Sequence, residues 1–195
     1  MKKNNTGFTL VEMIVTVTVI IMILPVLFNI TYITLQQQTK IYRLSQVKRE
    51  GDYVLNVISN LIKNNANGIY DSNDPATRVS LCDDEDEQSP PGTALFFKDK
   101  QDNVFQLELT NILGSQYAIA SNSYIPANNL ADNPTLTTTN VNINNTTFSI
   151  SCLRKNLFSP PTVSINFDIE YYPVSSRAEE TASMNYQTQI KLKNY

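Results

Sequence analysis

The sequence predicts an α+β fold, in which one long N-terminal α-helix packs on a C-terminal antiparallel β-sheet domain. An apolar run from Phe8 to Phe28 is followed by a proline-free stretch to Lys63 whose apolar residues recur at helical spacing. From about residue 70 onward, apolar and polar residues alternate in short runs separated by turn-forming residues. The 195 residues leave room for one such helix and one globular domain of ordinary size.

The first part of the helix, over residues 8–35, is predicted to cross a membrane or to form the buried core of an assembly. The helical run from Phe8 to Phe28 is about 30 Å long, which is roughly the hydrocarbon thickness of a bilayer. No charged residue stands between Glu12 and Lys40, so Glu12 is isolated inside the apolar run. An unpaired carboxylate in hydrocarbon costs roughly 2.5 kcal/mol or more, and this cost requires an explanation.

Three interpretations of this start compete. A secretory signal peptide would need a small-residue cleavage site after the apolar run, and the segment at residues 29–32 does not provide one. A plain membrane anchor has the right length but leaves Glu12 unexplained. A third interpretation places a cleavage before the run, between Gly7 and Phe8.

The segment Gly7-Phe8-Thr9-Leu10-Val11-Glu12, preceded by Lys2 and Lys3, resembles the type IV prepilin processing motif. The resemblance implies that a prepilin peptidase cuts after Gly7 and that the new N-terminal residue, Phe8, is methylated. It also implies that Glu12 is the fifth residue of the mature chain, and that this chain is a structural filament subunit without catalytic activity.

Cleavage would create an α-amino group on Phe8, which is largely protonated near neutral pH. A lone ammonium and a lone carboxylate are both costly in lipid. Pairing Glu12 of one subunit with the Phe8 amine of a neighbour removes both penalties. As the resemblance implies, we expect this pair to set the register between subunits.

The resemblance and the apolar pattern together suggest four segments. They are a leader peptide (1–7), a transmembrane and filament-core helix (8–35), an amphipathic helix (36–66) and a β-rich head domain (67–195). The basic leader predicts a single-pass protein of the cytoplasmic membrane with its N-terminus in the cytoplasm. The expected later location is an extracellular or periplasmic filament. The implied partners are the prepilin peptidase, the membrane, and other pilin or pseudopilin subunits bound through the N-terminal helix.

Two further segments are similar to a subgroup of this family. Residues 50–63, whose start Glu50-Gly51-Asp52-Tyr53 combines acidic, small and aromatic residues, resemble the region after the N-terminal helix stem in J-type pseudopilins and W-type minor pilins. The ending at residues 184–195 resembles the closing strand of the same group. These likenesses favour a minor subunit that primes assembly or lies near the filament tip. Gly51, in the middle of the predicted helix, costs about 1 kcal/mol relative to alanine and is expected to allow a bend.

The head is predicted to be one antiparallel sheet with one face on the helix. Residues 93–97 and 104–109 form a predicted hairpin around a polar turn. Further alternating strands are expected near residues 147–152, 163–171 and 184–192. The stretch from Asn122 to Asn145 is rich in Asn, Thr and Ala and is expected to form a long surface loop.

The composition excludes several kinds of chemistry. The chain has no histidine and few glycines, so Ser-His, Cys-His and His-zinc sites are unavailable, and no glycine-rich phosphate loop occurs. We expect no cofactor and no metal. Removal of Lys2 and Lys3 leaves 13 basic against 18 acidic residues, a net charge of −5. This acidity argues against nucleic acid as the main partner but leaves room for a local basic patch. The alternative function is a binding module at a filament tip that recognises a surface, a secreted substrate or DNA.

Two features of the head remain open at the level of sequence. Cys82 and Cys152 either form a disulfide, as an exported domain would favour, or remain unpaired and buried. The acidic run at residues 83–87 either binds calcium or is a solvated loop. The solvated loop is favoured because the run lacks the alternating spacing and the glycine of an EF-hand.

Overall fold

The computed structural model describes residues 9–72, 74, 77–124, 135–174, 177 and 180–193. Its first element, α1, is a single α-helix from Leu10 to Asn65, about 84 Å long at 1.5 Å per residue. The helix continues through Pro25 without a break. It contains an 18-residue window with a mean hydropathy of 2.7, so it is long and apolar enough to cross a membrane. Its C-cap residue is Ala66, whose N–H donates to the carbonyl of Ile62.

The two halves of α1 differ in burial. Every residue from Leu10 to Leu35 is exposed, and we call this segment the stem. The second half lays an apolar stripe on the head at spacings of three and four residues, as expected for one face of an amphipathic helix. The buried members of the stripe are Val47, Gly51, Val54, Ile58 and Ile62.

The described residues of the head form eight strands, all paired antiparallel. They are β1 (Gly68–Tyr70), β2 (Ala94–Lys98), β3 (Val104–Leu113), β4 (Gln116–Tyr124), β5 (Val141–Ile143), β6 (Ser149–Leu153), β7 (Thr162–Tyr171) and β8 (Ser183–Lys191). The first sheet has the order β1-β2-β3-β4. In the second sheet, β8 pairs with β7 along its length, and β5 and β6 pair with opposite halves of β7. Because β8 occupies one edge of β7, β5 and β6 share the other.

The helix packs on β7 and β8, and one core joins it to both sheets. The side-chain amide of Gln116 in β4 donates to the carbonyls of Thr139 and Val141, at 2.9 Å each. The backbone N–H of Tyr117 donates to Oδ1 of Asn142. At the other end of the head, residues before β2 bridge to β6, for example Gly92 to Ile150.

The structure confirms the α+β fold and most of the expected strands. In the hairpin, Leu95 pairs with Leu107 and Phe97 with Phe105, and all four are buried. The strands form two sheets rather than the single sheet that alternation suggested, because alternation does not say which strands pair.

The prediction of a long surface loop between Asn122 and Asn145 was wrong at both ends. Asn122 lies in β4, and β5 is fully buried beside β7. Residues 125–134 lie outside the described part of the chain. The short β5 carries little periodic signal, and it becomes a strand because β7 supplies its hydrogen-bonding partners.

Candidate functional site: the stem and the distal rim

The start of the stem is fixed by a capping box between Thr9 and Glu12. One carboxylate oxygen of Glu12, Oε2, accepts hydrogen bonds from the backbone N–H and from the hydroxyl of Thr9, at 2.9 Å each. The backbone N–H of Glu12 donates in return to Oγ1 of Thr9 at 3.4 Å. The carboxylate therefore satisfies an otherwise open end of the helix and, as an anion, lies at the positive end of the helix dipole.

The stem offers an almost purely apolar surface. Its threonine hydroxyls bond back to backbone carbonyls one turn earlier, as Thr18 does to Ile14 and Thr31 does to Leu27. The polar atoms are thus turned onto the backbone, and the methyl groups are left at the surface. None of the residues from Leu10 to Leu35 is covered by the described residues of the head.

Arg43 makes the first firm contact between the helix and the head. Its Nη1 donates to the backbone carbonyl of Glu180 at 2.6 Å and lies 3.5 Å from the carboxylate of the same residue. The guanidinium carbon is 5.0 Å from the centre of the Tyr171 ring, which is a cation–π distance. Arg43 therefore ties the base of the head to the helix above the stem.

The centre of the helix–sheet contact is the Tyr186 ring, which lies directly over Gly51. A Cβ atom at position 51 would be 2.2 Å from Cε2 of Tyr186, so only glycine leaves room for the ring. The ring stacks on Phe167 with centroids 5.5 Å apart. Its hydroxyl is 3.0 Å from the carbonyl of Lys48, to which it donates, and 3.3 Å from Oδ1 of Asp52. Gly51 thus provides space for a side chain, whereas the sequence suggested a place for a bend.

This environment also changes the acidity of the tyrosine. Burial, with a further contribution from the Asp52 carboxylate, raises the pKa of Tyr186 to about 12. Both effects disfavour the phenolate, and the neutral hydroxyl is the form that donates to the helix carbonyl.

The end of the head farthest from the stem is tied together by a disulfide and by a buried arginine. Sγ of Cys82 is 1.96 Å from Sγ of Cys152. Two positions later, Arg154 is only 8% exposed and donates to backbone carbonyls on both sides. On one side it reaches the carbonyl of Asp83 in the acidic run. On the other side it reaches the carbonyls of Asn156, Leu157 and Ser159.

The acidic run folds on itself. One carboxylate oxygen of Glu87, Oε2, accepts from the backbone N–H groups of Asp83 and Asp84, at 2.8 and 3.1 Å. Within the part of the chain that the structure describes, no three His, Cys, Asp or Glu side chains are grouped so that they could hold a metal ion.

Beside Arg154 lies a surface that we call the distal rim, defined by Lys63, Lys155, Phe158 and Lys191. The three lysines line a groove of about 810 Å³ together with hydroxyl and amide side chains. Phe158 is fully exposed next to the groove. Because Lys63 is in the last turn of α1, the rim is about 42 Å along the helix from the end of the stem.

Among the residues that the sequence singled out, Gly7 and Phe8 lie outside the described part of the chain. Glu12 stands in the first turn of α1, and Cys82 and Cys152 are joined in the head, far from the stem. Sequence reasoning missed the roles of Arg43, Tyr186, Arg154 and Phe158. The sequence offered two hints, which were a glycine in the middle of the predicted helix and the Leu157-Phe158 pair in a polar segment.

Comparison with known protein families gives a match at the start of the chain. Residues 2–24 match the family model described as the prokaryotic N-terminal methylation motif. Comparisons with curated proteins and with solved structures give no match. The match covers Lys2, Lys3 and Gly7 and most of the apolar run from Phe8 to Phe28. Together with that stem it supports a type IV pilin-like chain that is processed by a prepilin peptidase, anchored in a membrane and assembled with other pilins.

Proposed function

We propose that this chain is a minor structural subunit of a type IV pilus-like, secretion or competence filament. It is cut after Gly7 and methylated on Phe8. Its segment 8–35 is then transferred from the cytoplasmic membrane into the filament core. The head at 67–195 faces outward and primes assembly or lies near the tip. The main support is the stem, which is exposed along its whole length, is almost purely apolar and carries one carboxylate at its start.

The exposure of the stem requires a partner. Burying one Leu, Ile or Val side chain is worth about 1.5–3 kcal/mol, and the stem from Leu10 to Leu35 carries many such side chains. Such a surface is stable only in lipid or against other apolar helices. A bilayer before assembly and neighbouring stems afterwards supply these two environments in turn.

Glu12 sets the axial position of each subunit relative to its neighbours in the filament. In the precursor its carboxylate is hydrogen bonded to Thr9, which reduces the cost of holding the anion at the membrane. A neighbour's Phe8 amine adds the opposite charge that the capping box lacks. The pair forms at only one axial offset between stems, because each stem carries one carboxylate and one amine.

Mass spectrometry of the protein from its native cells tests the processing. The mature chain is expected to start at Phe8 with one methyl group on its amine. A chain that starts at Met1 would reduce the proposal to a membrane-anchored head. Cleavage after the apolar run would make it a freely secreted protein.

Two substitutions of Glu12 test the register. Glu12→Ala removes both the charge and the cap, whereas Glu12→Gln removes the charge and keeps an oxygen that can cap the helix. Both variants are expected in the membrane fraction at wild-type level but strongly depleted from sheared filaments. Normal incorporation of Glu12→Gln would refute the charge pair and leave only a capping role.

A second candidate function is a binding module at the tip of such a filament. It is favoured by the distal rim, where a fully exposed Phe158 stands beside lysines at the end opposite the stem. Deletion of the gene distinguishes the two functions. Lost filaments indicate a priming subunit, and intact filaments that fail to bind their target indicate a binding module.

A further inference from the structure

The distal rim is a local basic site on an acidic protein. Lys63, Lys155 and Lys191 come from the helix, from the loop after β6 and from the end of β8, and they line one groove of about 810 Å³. The groove also presents the side chains of Asn156, Thr162 and Gln189, which can donate hydrogen bonds. No carboxylate lines it among the described residues. This arrangement fits an anionic ligand with several acceptor oxygens.

An aromatic platform stands beside the lysines. Phe158 is 100% exposed, and its loop borders the groove through Ser159 and Pro160, which line both the groove and the adjoining hollow beneath Phe158. The loop is held by Arg154, whose guanidinium donates to the carbonyl of Leu157 at 2.6 Å and to that of Ser159 at 3.2 Å. The ring is therefore presented by an anchored loop, which reduces the entropy lost on binding.

We propose that the distal rim binds single-stranded nucleic acid, with phosphodiester groups on the three lysines and a base stacked on Phe158. A basic groove with an adjacent aromatic ring is the usual arrangement for such ligands, because the backbone is anionic and every base has a face that can stack. A duplex keeps its bases stacked on one another, so it offers no free base for Phe158.

The acidic run begins close to the arginine that holds the Phe158 loop. Arg154 also donates to the backbone carbonyl of Asp83, on its other side. The negative charge of the run opposes the binding of an anionic strand. Together with the net charge of −3 of the full-length chain, this predicts modest affinity that weakens steeply with salt.

This inference goes beyond filament assembly and does not depend on it, since binding is measured on the isolated chain. The full-length protein in a neutral detergent is titrated into a fluorescein-labelled 15-nucleotide oligothymidylate, and fluorescence anisotropy is recorded from 50 to 200 mM NaCl. For three phosphate contacts the slope of log K against log salt is expected near −2, which is about 18-fold weaker binding over this range.

Four variants locate the site. Lys155→Gln and Lys191→Gln each remove one contact and are expected to weaken binding about fivefold at 100 mM salt. Phe158→Ala is expected to weaken it about tenfold without affecting the fold, because the ring is fully exposed. Lys48→Gln is the matched control, since it removes the same charge from an exposed position about 22 Å lower on α1. It should bind like the wild type.

Competitors decide the class of ligand. Unlabelled oligothymidylate is expected to displace the probe better than the same length of duplex, inorganic polyphosphate or poly-L-glutamate. Equal competition by polyphosphate together with unchanged binding by Phe158→Ala would overturn the proposal in favour of a general anion site. Preferred binding of polyglutamate would overturn it in favour of an acidic protein partner. The proposal would also be overturned if the probe did not bind at 50 mM NaCl, or if its binding did not weaken between 50 and 200 mM NaCl.

Discussion

Replacing Gly51 with alanine is expected to destabilise the protein, although helix propensity alone predicts the opposite. In a helix interior, alanine is more favourable than glycine by about 1 kcal/mol. In the structure, however, the added Cβ would lie 2.2 Å from Cε2, 2.3 Å from Cζ and 2.7 Å from the hydroxyl oxygen of Tyr186. These distances are far below van der Waals contact, so the ring has to move.

Moving the Tyr186 ring costs free energy, because its present contacts would be broken. It is stacked on Phe167 at 5.5 Å and donates a hydrogen bond to the carbonyl of Lys48. Overpacking of this kind costs about 1–3 kcal/mol, and the loss of the hydrogen bond adds about 0.5–1.5 kcal/mol. After the gain in helix propensity is subtracted, the net destabilisation is about 2 kcal/mol. For a chain of this size, this corresponds to a drop in Tm of about 4–8 °C.

The assay is thermal unfolding of the full-length chain in neutral detergent, followed by the near-UV circular dichroism of its tyrosines. Asn56→Ala is the matched control, because Asn56 is exposed on the same helix and should gain propensity without a clash. In a Tyr186→Leu background, Gly51→Ala is expected to be neutral or stabilising. A raised Tm for Gly51→Ala with Tyr186 in place would refute the reasoning.

Three further predictions concern the head. Burial raises the pKa of Tyr186 to about 12, whereas an unfolded tyrosine titrates near pH 10, so the stabilisation is complete below pH 10 and is lost as pH rises towards 12. Between pH 10 and 12, the Tm of Tyr186→Phe should therefore fall less steeply with pH than the Tm of the wild type. Equal slopes for the two proteins would contradict the raised pKa of Tyr186. Arg154→Gln removes charged hydrogen bonds that a buried guanidinium donates to loop carbonyls and should cost about 2–4 kcal/mol in urea unfolding, whereas Lys155→Gln should stay within about 0.5 kcal/mol. The bond between Cys82 and Cys152 spans 70 positions and should contribute about 4 kcal/mol, so a reductant should lower the Tm of the wild type but not that of the double serine variant.

Much of the architecture could be predicted from the sequence because its signals are local. The apolar run, the helical spacing up to Lys63 and the alternation in β7 and β8 each reflect a periodicity within one element. The processing motif is local too, since Gly7, Phe8 and Glu12 lie within six positions of one another. For the candidate site, the apolar segment that forms the stem and its single carboxylate could therefore be predicted from the sequence.

Only the tertiary structure decided how distant residues meet. The strands divide into two sheets. The β5 strand, which has only three residues, forms because the edge of β7 supplies its hydrogen-bonding partners. Tyr186 reaches the carbonyl of Lys48 across 138 positions, which explains Gly51. The distal rim joins a helix end, a loop and a strand end that have no common pattern in the chain. Periodicity reports which face of an element is apolar, whereas pairing and packing depend on contacts between elements far apart in sequence.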